Sequence, residues 1–157
     1  QKIGFHISNE QLKFALQNTK KLTSLHGRWE LLQNNPTLIA DVGHNEDGIR
    51  QILQQLQITQ YNQLHIIIGM VKDKDIDQVL SLLPKTATYY FTKAQIPRAL
   101  EENALQDLAK QQQLKGNTYC NVNKAINNAL QTASVNDLII VCGSVFLVGE
   151  IDMLIVS

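Results

Sequence analysis

The sequence has few of the features that mark secreted, membrane or metal-binding proteins. It contains two cysteines, Cys120 and Cys142, and neither belongs to a CxxC or other metal-ligand spacing. Its four histidines form no HxH or HxxxH pattern. No apolar run approaches the roughly 20 residues that a transmembrane helix needs, and no signal peptide opens the chain. We therefore expect reduced thiols, no metal site on this chain and a cytoplasmic protein.

The chain also has no excess of one charge and no common phosphate-binding motif. Fourteen basic and fourteen acidic side chains balance, which argues against partners such as nucleic acid or an anionic membrane. Neither GxxxxGK(S/T) nor GxGxxG occurs, so the chain has no P-loop and no dinucleotide fingerprint of its own. Ser144 does not lie in a GxSxG elbow, and a serine-hydrolase triad is therefore not expected.

The apolar pattern indicates alternating strands and helices. Segments such as HIIIG and LIIVCG are continuously apolar, as is typical of strands buried on both faces. The turn signal QNNP predicts that the first two strands form a hairpin. Strand then alternates with helix, which predicts right-handed crossovers and a three-layer, Rossmann-like α/β fold. We expect a mostly parallel sheet of about six strands, one antiparallel edge strand and helices on both faces.

The same pattern bounds the expected elements. A first helix runs from Ser8 to Lys20, with Ser8 as its N-cap. The strands are expected at Glu30–Leu32, Thr37–Asp41, Leu64–Met70, Thr88–Thr92, Thr118–Cys120 and Asp137–Cys142. The later helices are expected at Glu46–Leu56, Ile76–Leu83, Glu101–Gln113, Asn123–Thr132 and Ser144–Leu154.

Charged and polar side chains gather in the loops that leave the carboxyl ends of these strands. Those loops read DVGHNEDG, GMVKDKD, TKAQIPRA, CNVN and CGSVF, whereas loops at the opposite edge read QITQYNQ, LPKTAT, LKGN and ASVND and are nearly uncharged. Open parallel sheets bind ligands outside the carboxyl ends of their strands. The pattern favours a site at that edge, and solvated loops without a ligand remain the alternative. The side chains concerned are Asp41, His44, Lys72, Asp73, Lys74, Asp75, Lys93, Arg98 and Ser144.

Four motifs in this order carry a family resemblance: GRWELL, IADVGHNEDG, IIIGMVKDKD and IIVCGSVFLVGE. They resemble the C-terminal domain of bacterial folylpolyglutamate synthase/dihydrofolate synthase, of the Mur ligase superfamily, whose pattern reads roughly GRFE, D-x-AHNP, G-x-x-x-DKD and GS-x-x-x-V. The resemblance covers residues 27–155. It implies that residues 1–26 are the end of a central ATPase domain with its linker, and that 27–157 form the C-terminal glutamate-ligase domain. The first residue is Gln rather than Met, as in an excised piece of a longer protein.

The resemblance also implies an activity. These ligases use ATP to convert a carboxylate to an acyl phosphate, which the amine of L-glutamate then attacks. The new amide forms on dihydropteroate or on the γ-glutamyl tail of folate, in folate biosynthesis and one-carbon metabolism. Expected partners are ATP, the folate or dihydropteroate, L-glutamate and the enzyme's own N-terminal/central ATPase domain. Mg²⁺ is the expected cofactor, with its ligands and the P-loop in the central domain, so this chain alone should be inactive.

Nucleotide-binding roles are implied for Arg28 and Asp41. Arg28 matches a linker arginine that reaches the ATP phosphates, and a guanidinium is always charged and forks onto phosphate oxygens. Asp41 matches an acid that contacts the ribose, and a carboxylate can accept hydrogen bonds from both ribose hydroxyls. The alternatives are a surface arginine and a turn or capping aspartate.

Glutamate-binding roles are implied for His44, Lys74 and Ser144. His44 is the candidate catalytic residue, near the incoming glutamate and the reacting phosphate, at a helix N-terminus that favours anions. Lys74 offers an ammonium to a glutamate carboxylate, and Ser144 offers a hydroxyl beside helix N–H groups. The alternatives are a loop histidine, a solvated charge run and a helix N-cap. Asn45 is the expected N-cap of the next helix, and Glu46 replaces the family's usual proline and would repel an anion.

Two other functions remain open. The chain can belong to another Mur-type ligase, such as a murein peptide ligase. It can also be a non-catalytic, nucleotide- or anion-binding α/β domain with a regulatory role. The sequence does not decide whether one or both folate activities are present, because the pterin-binding residues lie largely outside this chain.

Overall fold

Six strands and six helices are assigned in the computed structural model, which describes residues 7–18, 22, 26–72 and 75–156. The strands are β1 Glu30–Asn34, β2 Thr37–Ala40, β3 Leu64–Ile68, β4 Thr88–Phe91, β5 Lys115–Thr118 and β6 Leu138–Cys142. The helices are α1 Asn9–Gln17, α2 Glu46–Ile58, α3 Ile76–Leu82, α4 Glu102–Gln111, α5 Val122–Thr132 and α6 Val145–Gly149.

The six strands form one sheet in the order β1-β2-β6-β3-β4-β5. β1 pairs with β2 antiparallel, and every other neighbouring pair is parallel. The hairpin turns at Asn35–Pro36, within the predicted QNNP signal. The mostly parallel, six-stranded sheet with one antiparallel edge strand is therefore confirmed.

Both faces of the sheet are covered by helices. All five residues of β3 and all five of β6 are buried, in agreement with their continuously apolar sequences. One face packs against α2, α3 and α4, through side chains such as Ile49, Leu80 and Leu105. The other packs against α5 and α6, through Ile126 and Leu147. The expected three-layer arrangement is confirmed, and because the side chains of a strand alternate in direction, each strand contributes to both cores.

Side-chain caps start several helices. Ser8 and Gln11 form a reciprocal capping box at α1. Asn45 Oδ1 accepts from Gly48 N at 2.9 Å and so caps α2. The predicted caps Ser8 and Asn45 are thus confirmed. The first helix ends at Gln17 rather than Lys20, and residues 19–21 lie outside the described part of the chain.

Two element predictions were wrong. The fifth strand was expected at Thr118–Cys120 but lies at Lys115–Thr118. It is defined by backbone pairing with β4, in which Gly116 lies opposite Tyr89, and a Cβ on Gly116 would stand 1.9 Å from Tyr89 O. Such an edge strand has no apolar run that a sequence pattern could detect.

The last helix was expected to span Ser144–Leu154 but ends at Gly149. Hydrogen bonds from α5 hold the segment that follows Gly149. Asn123 Nδ2 donates to Glu150 O at 3.0 Å, and Asn123 Oδ1 accepts from Asp152 N at 2.9 Å. These tertiary bonds replace the next helical turn. The remaining bounds agree with the predictions within two residues.

Both cysteines are free thiols in the structure, as expected. Cys120 is exposed, whereas Cys142 is buried at the end of β6. Burial, with a smaller contribution from the charge of Asp41, raises the pKa of Cys142 to about 12. Cys142 therefore stays a neutral, apolar part of the core.

Candidate functional site

The carboxyl edge of the sheet has a change of connection at its centre. β6 lies between β2 and β3. The chain leaves β2 and β3 toward α2 and α3 on one face, but it leaves β6 toward α6 on the other. Loops that diverge to opposite faces leave a crevice between them, which is where open α/β sheets bind ligands. The loops that follow β2, β3 and β6 are three of the polar loops predicted from the sequence, and their first residues meet at this crevice.

Backbone hydrogen bonds join the three central loops. Gly143 N donates to Gly43 O at 2.8 Å, and Gly69 N donates to Cys142 O at 3.3 Å. Gly143 has a φ of +102°, and a Cβ there would lie 2.6 Å from Gly69 O. A side chain at this position is excluded both by the backbone conformation and by the neighbouring carbonyl. The rim of the crevice is therefore a rigid, preorganised structure.

The first part of the motif DVGHNEDG, residues 41–45, packs closely against the start of α2, which the rest of the motif forms. A Cβ on Gly43 would lie 2.8 Å from Ile52 Cδ1, and one on Gly48 would lie 2.9 Å from Gly43 Cα. Because both residues are glycines, the loop can lie directly on the helix. The contact fixes the positions of Asp41 and His44, which precede and follow Gly43.

Asp41 ties the segment that carries Arg28 to the end of β2. Its Oδ1 accepts from Gly43 N at 2.8 Å and its Oδ2 accepts from Trp29 N at 2.8 Å. The second bond holds Trp29 at a φ of +45°, a conformation that is rare for residues other than glycine. The turn-aspartate interpretation therefore describes these two bonds. A carboxylate oxygen has a second lone pair, so both oxygens keep acceptor capacity for a ligand.

Arg28 and Asp41 lie on the wall of one cavity of about 360 Å³. Arg28 is exposed, whereas Trp29 is half-buried and packs against a core cluster that includes Ile52 of α2. The structure thus brings the two predicted nucleotide-binding residues together. The other residues that line the cavity are Trp29, Gly48, Gln51, Ile52 and Gln55.

His44 and Ser144 line a second, smaller cavity of about 70 Å³. His44 Nδ1 lies 2.9 Å from Val42 O. A carbonyl oxygen can only accept, so Nδ1 carries the proton of the neutral ring and Nε2 is left with a lone pair. The ring can therefore take up a proton at Nε2. The full lining is His44, Val71, Arg98, Ser144, Val145 and Phe146.

Ser144 caps the five-residue helix α6. Its Oγ accepts from Phe146 N at 3.2 Å, and the residue is only 4% exposed. The N-cap interpretation is therefore right as a description of this bond. The hydroxyl hydrogen is not used by that bond, and Ser144 can still donate it to a ligand in the cavity.

Arg98 is a member of the second cavity to which the sequence assigned no role. Its guanidinium carbon lies 5.2 Å from the centre of the Phe146 ring. Lys72 N donates to Arg98 O at 3.0 Å, so the loop after β4 is joined to the loop after β3. The signal in the sequence that could have pointed to Arg98 was its charge in a loop at the carboxyl edge. Its proximity to His44 and Ser144 depends on contacts between loops that no local pattern reveals.

Lys74 and Asp73 lie outside the described residues, so the glutamate-binding role of Lys74 stays a prediction. Their neighbour Asp75 caps α3, where its Oδ1 accepts from Gln78 N at 3.3 Å. One other charge of the carboxyl edge, Lys93, is paired. Lys93 forms ion pairs with Glu101 and Glu102, and its hydrogen bond to Glu101, followed by that to Glu102, raises the pKa of Lys93.

Glu46, which replaces the family's usual proline, is also paired. Arg50 Nη2 lies 2.7 Å from Glu46 Oε1, one helical turn further along α2. The expected repulsion of an anion at this helix start is reduced by the neighbouring guanidinium.

The described residues contain no group of three or more His, Cys, Asp or Glu side chains that could hold a metal ion. Within the same residues, no helix is both long and apolar enough to cross a membrane.

The family model described as "Mur ligase, glutamate ligase domain" matches residues 27–145. The chain belongs to this family.

Three relatives illustrate the similarity. A probable bifunctional folylpolyglutamate synthase/dihydropteroate synthase of Haloferax volcanii is 31% identical over 127 residues, which cover 79% of this chain and 15% of that protein. A dihydrofolate synthase/folylpolyglutamate synthase of Buchnera aphidicola subsp. Schizaphis graminum is 27% identical over 94% of this chain and 34% of its own length. A solved bifunctional folylpolyglutamate synthase/dihydrofolate synthase with Mn, AMPPNP and L-glutamate bound matches with a TM-score of 0.79 and 27% identity, over 93% of this chain and 34% of that one. The chain thus spans about a third or less of the lengths of these relatives.

Proposed function

We propose that this chain is the C-terminal domain of an ATP-dependent ligase that adds L-glutamate to folate through an acyl-phosphate intermediate. Tetrahydrofolylpolyglutamate synthesis is the proposed reaction, and the substrate assays below decide whether dihydrofolate synthesis accompanies it. The observation that carries the proposal is a pair of neighbouring cavities on the two sides of the DVGHNEDG loop. Arg28 and Asp41 line one, and His44 and Ser144 line the other. The solved relative that binds a nucleotide analogue and L-glutamate supports the same pairing of ligands.

The larger cavity is suited to a nucleotide. Arg28 places a permanent positive charge at its mouth, where phosphate oxygens can accept from the guanidinium fork. Asp41 is rigidly held by two backbone N–H groups and keeps lone pairs that can accept from ribose hydroxyls. The absence of a P-loop sequence means that most phosphate contacts must come from another domain. The family resemblance assigns the Mg²⁺ ligands to that domain as well.

The smaller cavity is suited to the amine side of the reaction. The neutral amine of glutamate attacks the acyl carbon, the new C–N bond forms, and the C–O bond to phosphate breaks with its electron pair leaving on the phosphate. The nitrogen then loses a proton. His44 Nε2 can receive it, because the bond from Nδ1 to Val42 O leaves Nε2 as the basic nitrogen.

The domain arrangement follows from the same proposal. Residues 1–26 form the end of the central domain and its linker, and 27–157 form the glutamate-ligase domain. Helix α1 supports this division, because it has no buried residue in the structure. Its apolar side chains Leu12 and Leu16 are 50% and 68% exposed, as expected for a helix that packs against a domain outside this chain.

Substrate assays of the complete enzyme test the proposal. ATP-dependent glutamate incorporation is measured with dihydropteroate, tetrahydrofolate and muropeptides in parallel. Incorporation with the folates is expected, and incorporation with muropeptides alone would support another Mur-type ligase instead. The gene that encodes the chain should also encode GxxxxGK(S/T) roughly one domain upstream. A gene without it, whose product ligates none of the three, would support a regulatory α/β domain.

A further inference from the structure

Glu30 is the acidic residue of the motif GRWELL, and the proposed function gives it no role. It is the first residue of β1 and is buried, and it lines a cavity together with the apolar side chains Leu32, Ala40 and Val148. Burial of a carboxylate is costly unless hydrogen bonds compensate for its lost hydration. An apolar side chain of similar size would pack in these surroundings without that cost. The hydrogen bonds of Glu30 are therefore what distinguishes it from an apolar residue at this position.

The two carboxylate oxygens of Glu30 hold the chain just before Arg28. Oε2 accepts from Gly27 N at 2.7 Å, and this bond is buried. Oε1 lies 2.9 Å from Nδ1 of His26, whose ring is exposed. Hydrogen bonds to an ionised acceptor at such distances are the short and strong ones. Glu30 thus reaches back to the proposed domain boundary between residues 26 and 27 and fixes the chain where the linker enters the domain.

Gly27 is fixed through both of its backbone polar groups and by its packing. Its N donates to Glu30, and its O accepts from Val42 N at 2.8 Å. Its φ is +74°, and a Cβ on Gly27 would lie 2.5 Å from Val42 Cγ1 and 3.1 Å from Val148 Cγ1. The backbone conformation and the lack of space both require glycine here. The residue before Arg28 therefore has one defined position in the structure.

Arg28 lies between two anchored residues. Trp29, on its other side, has a φ of +45° and donates its N–H to Asp41. A bulky residue persists in this conformation only when its surroundings hold it there. The side chain of Arg28 is exposed at the nucleotide cavity, so its direction depends on the backbone that carries it. Asp41 anchors the residue after Arg28, and Glu30 anchors the residue before it.

We propose that Glu30 is a positioning residue for Arg28, whose carboxylate holds the backbone of Gly27 and so directs the guanidinium of Arg28 toward the phosphates of the nucleotide. This role rests on the proposed ligase function and deepens it. Glu30 does not line the nucleotide cavity, so it acts through Arg28 rather than on a ligand there. The support is useful because a charged donor stabilises a transition state best when it is already in place before the reaction.

Steady-state kinetics of the complete enzyme test this role with Glu30→Met and Glu30→Gln. Met has similar bulk but no acceptor for Gly27 N, so kcat/KM for ATP should fall about tenfold or more while the KM for glutamate changes little. Gln keeps a carbonyl oxygen that can accept from Gly27 N, so it should retain more of this kcat/KM than Met does.

Asp137→Asn is the matched control for these variants. Asp137 is also a buried carboxylate that accepts from backbone N–H groups, but it lies at the amino edge of the sheet. Thermal unfolding measures the stability that each variant loses. Asp137→Asn should lose stability as the Glu30 variants do and still keep kcat/KM for ATP near the wild-type value. A fall in kcat/KM for Asp137→Asn as large as that for Glu30→Gln would overturn the role of Glu30.

A double-mutant cycle separates positioning of Arg28 from a general structural effect. Once Arg28→Ala is present, Glu30→Met should change kcat/KM for ATP by less than about twofold, because the group that it positions is gone. Equal losses with and without Arg28→Ala would overturn the role, as would wild-type kcat/KM in folded Glu30→Met. If Glu30→Met does not fold, Glu30→Gln is used in the same cycle with the same criterion. These results leave the proposed function intact, whereas wild-type enzyme that ligates no glutamate would overturn both.

Discussion

The two edges of the sheet each have a cavity of the same size, yet they differ in chemistry. At the amino edge a cavity of about 360 Å³ is lined by amides, hydroxyl-bearing side chains and one valine, namely Asn34, Asn35, Thr37, Gln60, Tyr61, Asn62, Val135 and Asn136. At the carboxyl edge the cavity of about 360 Å³ has both an arginine and an aspartate on its wall. Cavity volume therefore does not distinguish the two edges, whereas the charged side chains on the cavity wall do.

Two aspartates make the difference specific. Asp137, at the amino edge, is 5% exposed, and its oxygens accept from Gln63 N at 3.0 Å and Ser134 N at 2.7 Å. Asp41, at the carboxyl edge, also accepts from two backbone N–H groups but is only half-buried and faces a cavity. An aspartate therefore closes a loop at each edge, but only Asp41 does so beside an open cavity.

The largest expected effect concerns the chain by itself. Purified residues 1–157 should fold, because both faces of the sheet are covered, but they should hydrolyse no ATP and ligate no glutamate, because no P-loop is present. Circular dichroism checks folding, and assays of phosphate release and glutamate incorporation check activity. Measurable ATP-dependent ligation by this chain would mean that its carboxyl edge is sufficient for catalysis.

The next effect tests the charge at the nucleotide cavity. In the complete enzyme, Arg28→Ala should lower kcat/KM for ATP by about 2–4 kcal/mol of transition-state stabilisation, the range for a lost preorganised donor. Arg50→Ala, on the exposed side of α2, is the control and should have little effect. Equal kcat/KM for Arg28→Ala and wild type would remove Arg28 from the nucleotide site.

How far the sequence predicts this site depends on whether the cause is local. The strand order along the chain, the buried strands β3 and β6 and the caps Ser8 and Asn45 follow from patterns within a few residues of one another. The position of β6 between β2 and β3 does not, since the last strand of the chain enters the centre of the sheet through long-range pairing. That insertion brings His44, Arg98 and Ser144 to one cavity, which explains why Arg98 carried a visible charge but no predicted role. The end of α6 and the position of β5 were missed for the same reason.

Lys74→Met tests the amino-acid side of the carboxyl edge. The variant keeps the bulk of the stem and removes the charge, so the KM for glutamate should rise about tenfold or more, since a charge-assisted hydrogen bond contributes about 1.5–3 kcal/mol. ATP affinity should barely change, because the nucleotide contacts are assigned to Arg28 and Asp41. Kinetics with each substrate varied in turn provide the measurement. A defect in ATP rather than glutamate would show that Lys74 had been assigned to the wrong ligand.

Replacing Asp137 or Asp41 with alanine should separate effects on stability from effects on activity. Asp137→Ala leaves two backbone N–H groups without their acceptor and should lower the free energy of unfolding by about 1–3 kcal/mol, measured by urea denaturation of the chain. In the complete enzyme its kcat/KM for ATP should stay near the wild-type value. Asp41→Ala should destabilise the chain by a comparable amount and also weaken ATP use. If Asp41→Ala changes stability alone, its carboxylate holds the Trp29 segment and has no ligand role.

The smallest expected effect is at the amino edge. Asn136 lines the cavity there with an exposed side chain, and its backbone carbonyl, which accepts from Asn62 N at 3.0 Å, is unaffected by substitution. Asn136→Ala in the complete enzyme should therefore alter kcat and the KM of each substrate by less than about twofold, the range for exposed substitutions away from special contacts. The comparison is made with folate, glutamate and ATP varied separately. A selective rise in one KM would assign that substrate a contact at the amino edge, and the chemical distinction between the two cavities would then no longer separate a functional edge from a structural one.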